Sequence, residues 1–380
     1  MTNIARNVSS IALFLGIAGI AILPDHELAA QALVASDPSA DAKADAKILS
    51  ERRKTAARAK DTEAFFSAVE PFDITLTTNI RRIRGDKEDK APWRPAVFSY
   101  TGPDGKAVSV PGQIRTRGLW RLKNCEFPPL RLNFRSEDTK GTLLKGIDKP
   151  KLVNYCRDTD QFENYLKQEL QLYRVYSLLT PASHRARLLR MTYVDSASGK
   201  THASRIAILL EEPEALAARL GGPLVEQTGA TADHLDGYHD ALTSLFHYLI
   251  GNTDWSTWGL HNMELVGEAD GDFIPVPYDF DFSGAINASY ATVDPKLSID
   301  RVRQRLFRGF CQPQENYDKA IAVFKEKKND IYALYSDPIG SLLPKKTADE
   351  TLKYFDEFYE TINDPRRVRR NIVEACSKTR

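Results

Sequence analysis

The chain has 380 residues, 42% of them hydrophobic and 27% charged, with 52 lysines and arginines against 51 aspartates and glutamates. That length can hold two sizeable cores, while a formal net charge of +1 creates no global field for nucleic acid or an anionic membrane. Composition thus excludes a polyanion-coating protein and leaves function to local sites.

In chain order, Arg6 precedes an apolar run from Ile11 to Leu23, followed by Pro24 and Ala30-Gln31-Ala32. A positive start, a short apolar core and a small-residue A-x-A site predict a signal peptide over residues 1–32 and a secreted or periplasmic chain. An uncleaved N-terminal anchor is the alternative. No later segment reaches the roughly 20 apolar residues of a membrane span, so none is expected after signal cleavage. Residues 33–69 read as a polar, partly helical linker outside any core. The four cysteines, Cys125, Cys156, Cys311 and Cys376, form no C-x-x-C pair. In an exported chain their even number permits two disulfides, and neighbourhood favours Cys125 with Cys156 and Cys311 with Cys376.

From Phe72 the pattern turns to period two. Strands are predicted at Phe72–Thr77, Ala96–Tyr100, Ala107–Val110, Gln113–Gly118, Leu130–Phe134 and Lys151–Tyr155, mainly antiparallel, with a turn at Pro103-Asp104-Gly105. A helix capped by Asp158 or Asp160 runs to Pro181, carrying Phe162, Tyr165, Leu166, Leu170 and Tyr173 at helical spacing. Strands follow at Ala186–Val194 and Ala203–Leu210, then a short helix, Pro213–Leu220. The remainder reads as helical: Ala232–Ile250, Ser298–Phe307, Pro313–Tyr335, Lys346–Asn363 and Pro365–Cys376. It is interrupted by one hairpin, Met263–Val266 with Phe273–Pro277.

That hairpin carries the chemistry. Asp254 lies in a polar loop after the helix, Asn262 starts the first strand, and the second ends in Asp279-Phe280-Asp281. A hairpin returns its far end to its near end, so Asn262 and Asp279 should meet beside Asp254. Oxygen ligands gathered at one mouth suit a hard cation completed by phosphate oxygens. Phosphoryl transfer needs the same set: one carboxylate for the incoming hydroxyl, and an Asn and an Asp on metal.

A β-rich half with one helix (residues 70–212), followed by a helical half opened by this unit (213–380), has the layout of a bilobal, protein-kinase-like α+β fold with an antiparallel N-lobe. Asn252-Thr253-Asp254-Trp255, His261-Asn262-Met263-Glu264-Leu265 and Pro277-Tyr278-Asp279-Phe280-Asp281 resemble the motifs of the spore-coat-protein-H (CotH) kinase family. The resemblance spans residues 70–290 and is densest from Ile250 to Asp281. It implies an atypical secreted kinase using ATP with Mg²⁺, or Mn²⁺, on Ser/Thr of an envelope or extracellular protein. By that resemblance Asp254 aligns or deprotonates the acceptor, and Asn262, Asp279 and Asp281 hold metal. Arg117-Gly118 corresponds to an Arg-Gly turn over the phosphates. Glu211, with Leu209-Leu210 before it, stands at the interlobe segment where backbone meets adenine. A kinase also needs a cation on the phosphates, for which Lys151 and Arg131 are the candidates, and a helical carboxylate to brace it, Glu169 before Glu163.

Two other readings stay open: a pseudokinase or envelope-binding module without turnover, and a HipA-like or small-molecule kinase. Elsewhere the sequence is plainer. His234 and His239 stand on different helix faces with no third zinc ligand. His247 reads as a packed core residue, and His261, beside Asn262, as pointing to the opposite strand face. Ser283 lacks an elbow motif, and Arg366 to Arg370 read as a solvated helix face.

Overall fold

The computed structural model of the chain describes residues 38–88, 91–118 and 120–378, with side chains from Ser50 onward. The expected signal peptide lies outside the described residues. The stretch read as a linker forms helix α1, Pro38–Asp61, then a short helix α2, Glu63–Ser67. Its far end belongs to the folded unit, since Ala59 and Phe65 are buried.

The β-rich half is built from β1 (Phe72–Thr78), β2 (Arg94–Thr101), β3 (Ala107–Thr116), β4 (Leu130–Asn133), β5 (Lys151–Val153), β6 (Ala186–Asp195) and β7 (Thr201–Leu210). These seven strands close into a barrel in the order β1-β2-β3-β4-β5-β7-β6. The ring is sealed by a parallel pairing of β1 with β6, in which Ile74 stands opposite Met191 and Leu76 opposite Tyr193. This overturns the expected bilobal kinase-like fold: a closed, mixed barrel stands where an antiparallel β-rich N-lobe was predicted. The reason is physical. Alternation in Phe72–Thr78 marks one face as buried, but it does not name the neighbour, which here lies more than 100 residues away in sequence.

Other differences are local. The strands predicted at Ala107–Val110 and Gln113–Gly118 are one strand, β3, because Pro111 and Gly112 pair with Val97 and Ala96 without breaking the ladder. Gly112 gives close packing there: a Cβ would lie 3.1 Å from the Phe134 ring, which would have to shift slightly to admit it. Small helices α3 (Ile80–Gly85), α4 (Trp120–Asn124) and α5 (Ser136–Thr139) decorate the barrel's connections. The main helix α6 runs Asp160–Leu179, but its cap is Thr159, whose hydroxyl accepts from the Phe162 N–H. Asp158 and Asp160 instead pair with Arg205, at 2.6 and 2.8 Å.

After α7 (Pro213–Leu220), the strands β8 (Leu224–Val225), β9 (Met263–Gly267) and β10 (Phe273–Pro277) form a second sheet in the order β10-β9-β8. Helix α8 (Gly237–Ile250) precedes the hairpin and is capped by Asp236, which accepts the His239 N–H at 2.7 Å. The sequence merged this helix with a separate short turn, Ala232–His234. Helices α9 (Gln314–Ala333) and α10 (Lys345–Asn363) pack on it, and the predicted helix Ser298–Phe307 is irregular chain. Residues 51–380 form one compact unit, whose main core cluster includes barrel strands, α6, α8, α9 and α10. The disulfides pair as neighbourhood suggested, Cys125–Cys156 and Cys311–Cys376, as in chains that fold in an oxidising compartment. Among the described residues no helix is long and apolar enough to cross a membrane.

One buried acid in this scaffold makes stability depend on pH. Asp240 is 0% exposed in α8; one oxygen accepts from Gln312 at 2.9 Å and the other has no partner. Burial, aided by the charge of Asp236, pushes its pKa from 3.8 to about 7. The folded state therefore holds the proton longer than the unfolded one, and this group's contribution is lost as pH rises from 4 to 7. Asp240→Asn should raise the melting temperature at pH 8, by a stabilisation of up to about 4 kcal/mol, and leave it nearly unchanged at pH 4. Thermal unfolding at both pH values checks this.

Candidate functional site

Helix α8 ends on Gly251, whose φ of +61° turns the chain out of the helix. No larger residue fits, because a Cβ would overlap the Tyr354 hydroxyl. The following loop is fixed at several points. The Asn252 side-chain oxygen accepts the Asp254 N–H at 2.9 Å, closing an Asx turn. Arg308 donates to the carbonyls of Thr253 and Trp255, the latter at 3.0 Å. Trp255 stacks on the buried His247 ring at 4.4 Å, so His247 is the packed residue expected, held neutral by burial.

Asp254 and Asn262 meet. The Asn262 amide donates to the Asp254 backbone carbonyl at 2.8 Å and to its carboxylate at 3.1 Å. His261 joins them, with Nε2 2.8 Å from the other carboxylate oxygen. The sequence assigned His261 to the opposite face, and this is wrong. Strand β9 begins only at Met263, and Asn262 has φ +54°, so strand alternation does not reach His261. The Asp254 hydrogen bond raises the His261 pKa, assisted by the charges of Asp254 and Asp279.

At the return end of the hairpin, the Tyr278 N–H donates to the Asn262 carbonyl at 3.1 Å, which places Asp279 at the same mouth. Asp279 has φ +62°, and its N–H donates to the Tyr173 hydroxyl of α6 at 2.9 Å. Asn262 and Asp279 are two of the four non-glycine residues with positive φ among the described residues, and Leu260 is a third. Backbone strain of this kind, of order 1–3 kcal/mol per residue, gathers where a side chain must be aimed.

Behind Asp279 lies a buried acidic group. Asp281 is 5% exposed and accepts from the Tyr290 hydroxyl at 3.0 Å; burial and the neighbouring Asp279 push its pKa to about 8. Glu169, on α6, is 1% exposed, with no side chain among the described residues bonded to its carboxylate and only the Phe280 backbone near enough to favour its charged form by a hydrogen bond. Burial, then Asp279 and Asp281, raise it well above the usual carboxylate range. Two arginines after β3, Arg117 in the turn and Arg121 on α4, oppose this charge. Arg117 faces Asp279, and its pKa is lowered by burial. Arg121 donates to the Asn154 carbonyl at 2.8 Å; burial lowers its pKa, but the acidic groups around it, Asp281 foremost, raise it above its usual value. Gly118, with φ +86° and nothing within 4 Å of a Cβ, leaves open space over this turn.

The basic half is arranged differently from the expectation. Lys151 on β5 pairs with Glu264 at 3.1 Å and lies over the Tyr278 ring at 3.8 Å. Burial lowers its pKa, Glu264 opposes that, and the charges of Arg117 and Arg131 add to the lowering. Arg131 stands opposite Lys151 on β4. The structure therefore brings both candidates to one place but joins neither to Glu169, so the predicted brace is absent and Glu264 serves Lys151 instead. Glu264 lies on β9 while Asn262 stands before it with a positive φ, so no strand period linked the two in the sequence. Glu163 instead pairs with Lys167 at 3.0 Å.

Glu211 does not belong to the site. Its carboxylate is 1% exposed and bound by Arg185 at 2.6 Å and Arg219 at 2.9 Å. Its N–H donates to the Arg185 carbonyl, and its own carbonyl contacts His184 Nδ1, so no Glu211 backbone N–H is left for an adenine.

Among the described residues no three His, Cys, Asp or Glu side chains are placed to hold a metal ion alone. The donor set nevertheless fits a hard cation that keeps water and phosphate oxygens: Asp279, Asp281 and the buried Glu169 are an oxygen-only group short of positive charge. Against the Asp254 loop opens a cavity of about 420 Å³, lined in part by Trp255, Ser256, Trp258 and Arg308. No protein-family model and no curated protein sequence matches this chain.

Proposed function

We propose that this chain is an exported phosphotransferase that moves the γ-phosphate of ATP to a hydroxyl, on a Ser or Thr of an envelope or extracellular protein. The convergence of Asp254, Asn262 and Asp279 at one hairpin mouth carries the reading. The resemblance to CotH-family motifs is proposed to extend to chemistry and not to fold, and the disulfides suit a secreted or periplasmic location.

Asp254 holds the acceptor hydroxyl and takes its proton; each carboxylate oxygen accepts one bond, from His261 or Asn262, and retains a lone pair. Asn262, Asp279 and Asp281 are the residues that would hold Mg²⁺ or Mn²⁺, with Glu169 behind them. When bound there, such a cation would supply charge neutralisation for the transferring phosphoryl group. Arg117 and Lys151, with Arg131 behind, present positive charge from the barrel side to the phosphates.

A second reading, a binding module without turnover, is favoured by one observation: Lys151 is already neutralised by Glu264. Labelled ATP with Mg²⁺ or Mn²⁺, and thermal unfolding with and without nucleotide, decide between them. Metal-dependent transfer of label is expected. A nucleotide shift without transfer would establish the module, and neither response would sink both readings.

A further inference from the structure

A second charged site lies on the barrel, formed by α3, the β6–β7 turn and the chain beside the Cys125–Cys156 disulfide. It is a cavity of about 640 Å³ whose lining includes Arg81, Arg84, Lys87, Lys200 and His202. All five are exposed, and none forms an ion pair among the described residues.

The two carboxylates in the lining do not neutralise them. Asp195 is engaged with its own turn: one oxygen accepts the Ile80 N–H at 3.2 Å, the other the Ser198 N–H and hydroxyl at 3.1 and 2.8 Å. Glu126 is exposed and pairs with no cation. Arg84 and Lys87 are positioned by backbone carbonyls instead. Arg84 donates to Glu126 at 3.4 Å and Lys87 to Cys125 at 3.2 Å. Carbonyl bonds fix where these cations stand and leave their charge uncompensated. The floor is fixed too, because the Cys156 carbonyl accepts the Glu126 N–H at 2.9 Å beside the disulfide.

Four arginines and lysines against two carboxylates leave a charge of +2 in this one cavity, whereas the whole chain carries +1. A concave site with guanidinium and ammonium donors suits a compact dianion with several acceptor oxygens, and a concave wall disfavours a flat lipid surface. We infer that this cavity binds a small phosphate monoester, at a site separate from the hairpin mouth.

The test is titration of the full chain with glucose 6-phosphate and with inorganic phosphate, by calorimetry, against glucose and against sodium chloride at matched ionic strength. Saturable binding of both phosphates is expected, weakened at least about tenfold in Arg84→Glu/Lys200→Glu. Should the double variant fail to fold, the exposed single change Lys87→Gln must itself weaken binding. Equal affinity in parent and charge variants would overturn the proposal, as would a response matched by chloride. So would binding to phosphatidylglycerol vesicles with no response to either soluble phosphate.

Discussion

Asp254→Asn is expected to cut phosphate transfer by roughly a thousandfold while leaving nucleotide-dependent thermal stabilisation within experimental error of the parent chain. The substitution keeps shape and removes charge. Asn can still meet His261 Nε2 through its oxygen, but it cannot take a proton from an acceptor hydroxyl. Asp279→Asn should differ: it strips charge from the group facing Arg117, so both transfer and the metal-dependent part of nucleotide binding should fall. Initial-rate assays beside thermal shifts separate the two. Transfer at parental rates in Asp254→Asn would remove Asp254 from the chemistry, and a parallel loss of binding and transfer would make it a structural residue.

The largest effect on stability is expected at Glu211. Its carboxylate is bound by Arg185 and Arg219 and is 1% exposed, so Glu211→Ala leaves two guanidinium groups without their shared anion. Breaking a buried charge network on one side costs about 3–5 kcal/mol, read as a lower urea midpoint at pH 7. Burial alone would raise the Glu211 pKa, but hydrogen bonds and charge from Arg219 and Arg185 hold it below its usual value of 4.5. A depressed carboxylate contributes stability that is present above that unfolded value and is lost as pH falls through the folded one. The parent chain should therefore lose part of its advantage over the Ala variant on acidification below pH 4, and urea titrations across that range measure it. A constant difference at all pH values would show that packing, and not charge, is what Glu211 supplies.

What the sequence disclosed follows from the range over which each signal acts. Strand and helix positions were legible because alternation and helical spacing are local, as at Phe72–Thr78 and Pro213–Leu220. The hairpin mouth was legible for the same reason, since two adjacent strands with a short turn leave one register. Barrel closure was not, because the β1–β6 pairing is between distant segments. Nor were Arg121 and Tyr290 as neighbours of Asp281, or Arg308 as the clamp on the Asp254 loop. Those side chains come from irregular chain or, for Arg121, a five-residue helix too short to show a period that says which way a residue points. Glu211 failed for another reason: two glutamates at a strand end look alike in sequence, and only Arg185 and Arg219 reveal that one of them is fully occupied.

The parallel β1–β6 seam also sets an order of events during folding. Strand β1 has one partner, β2, close behind it, but its other edge stays open until Ala186–Asp195 has been delivered, so the barrel is completed late by a contact of high sequence separation. Until then an exposed edge of seven residues, Phe72 to Thr78, is available to any other extended chain. A fragment truncated anywhere before Ala186 keeps that edge permanently, and self-association is its expected fate, however native the remaining strands become.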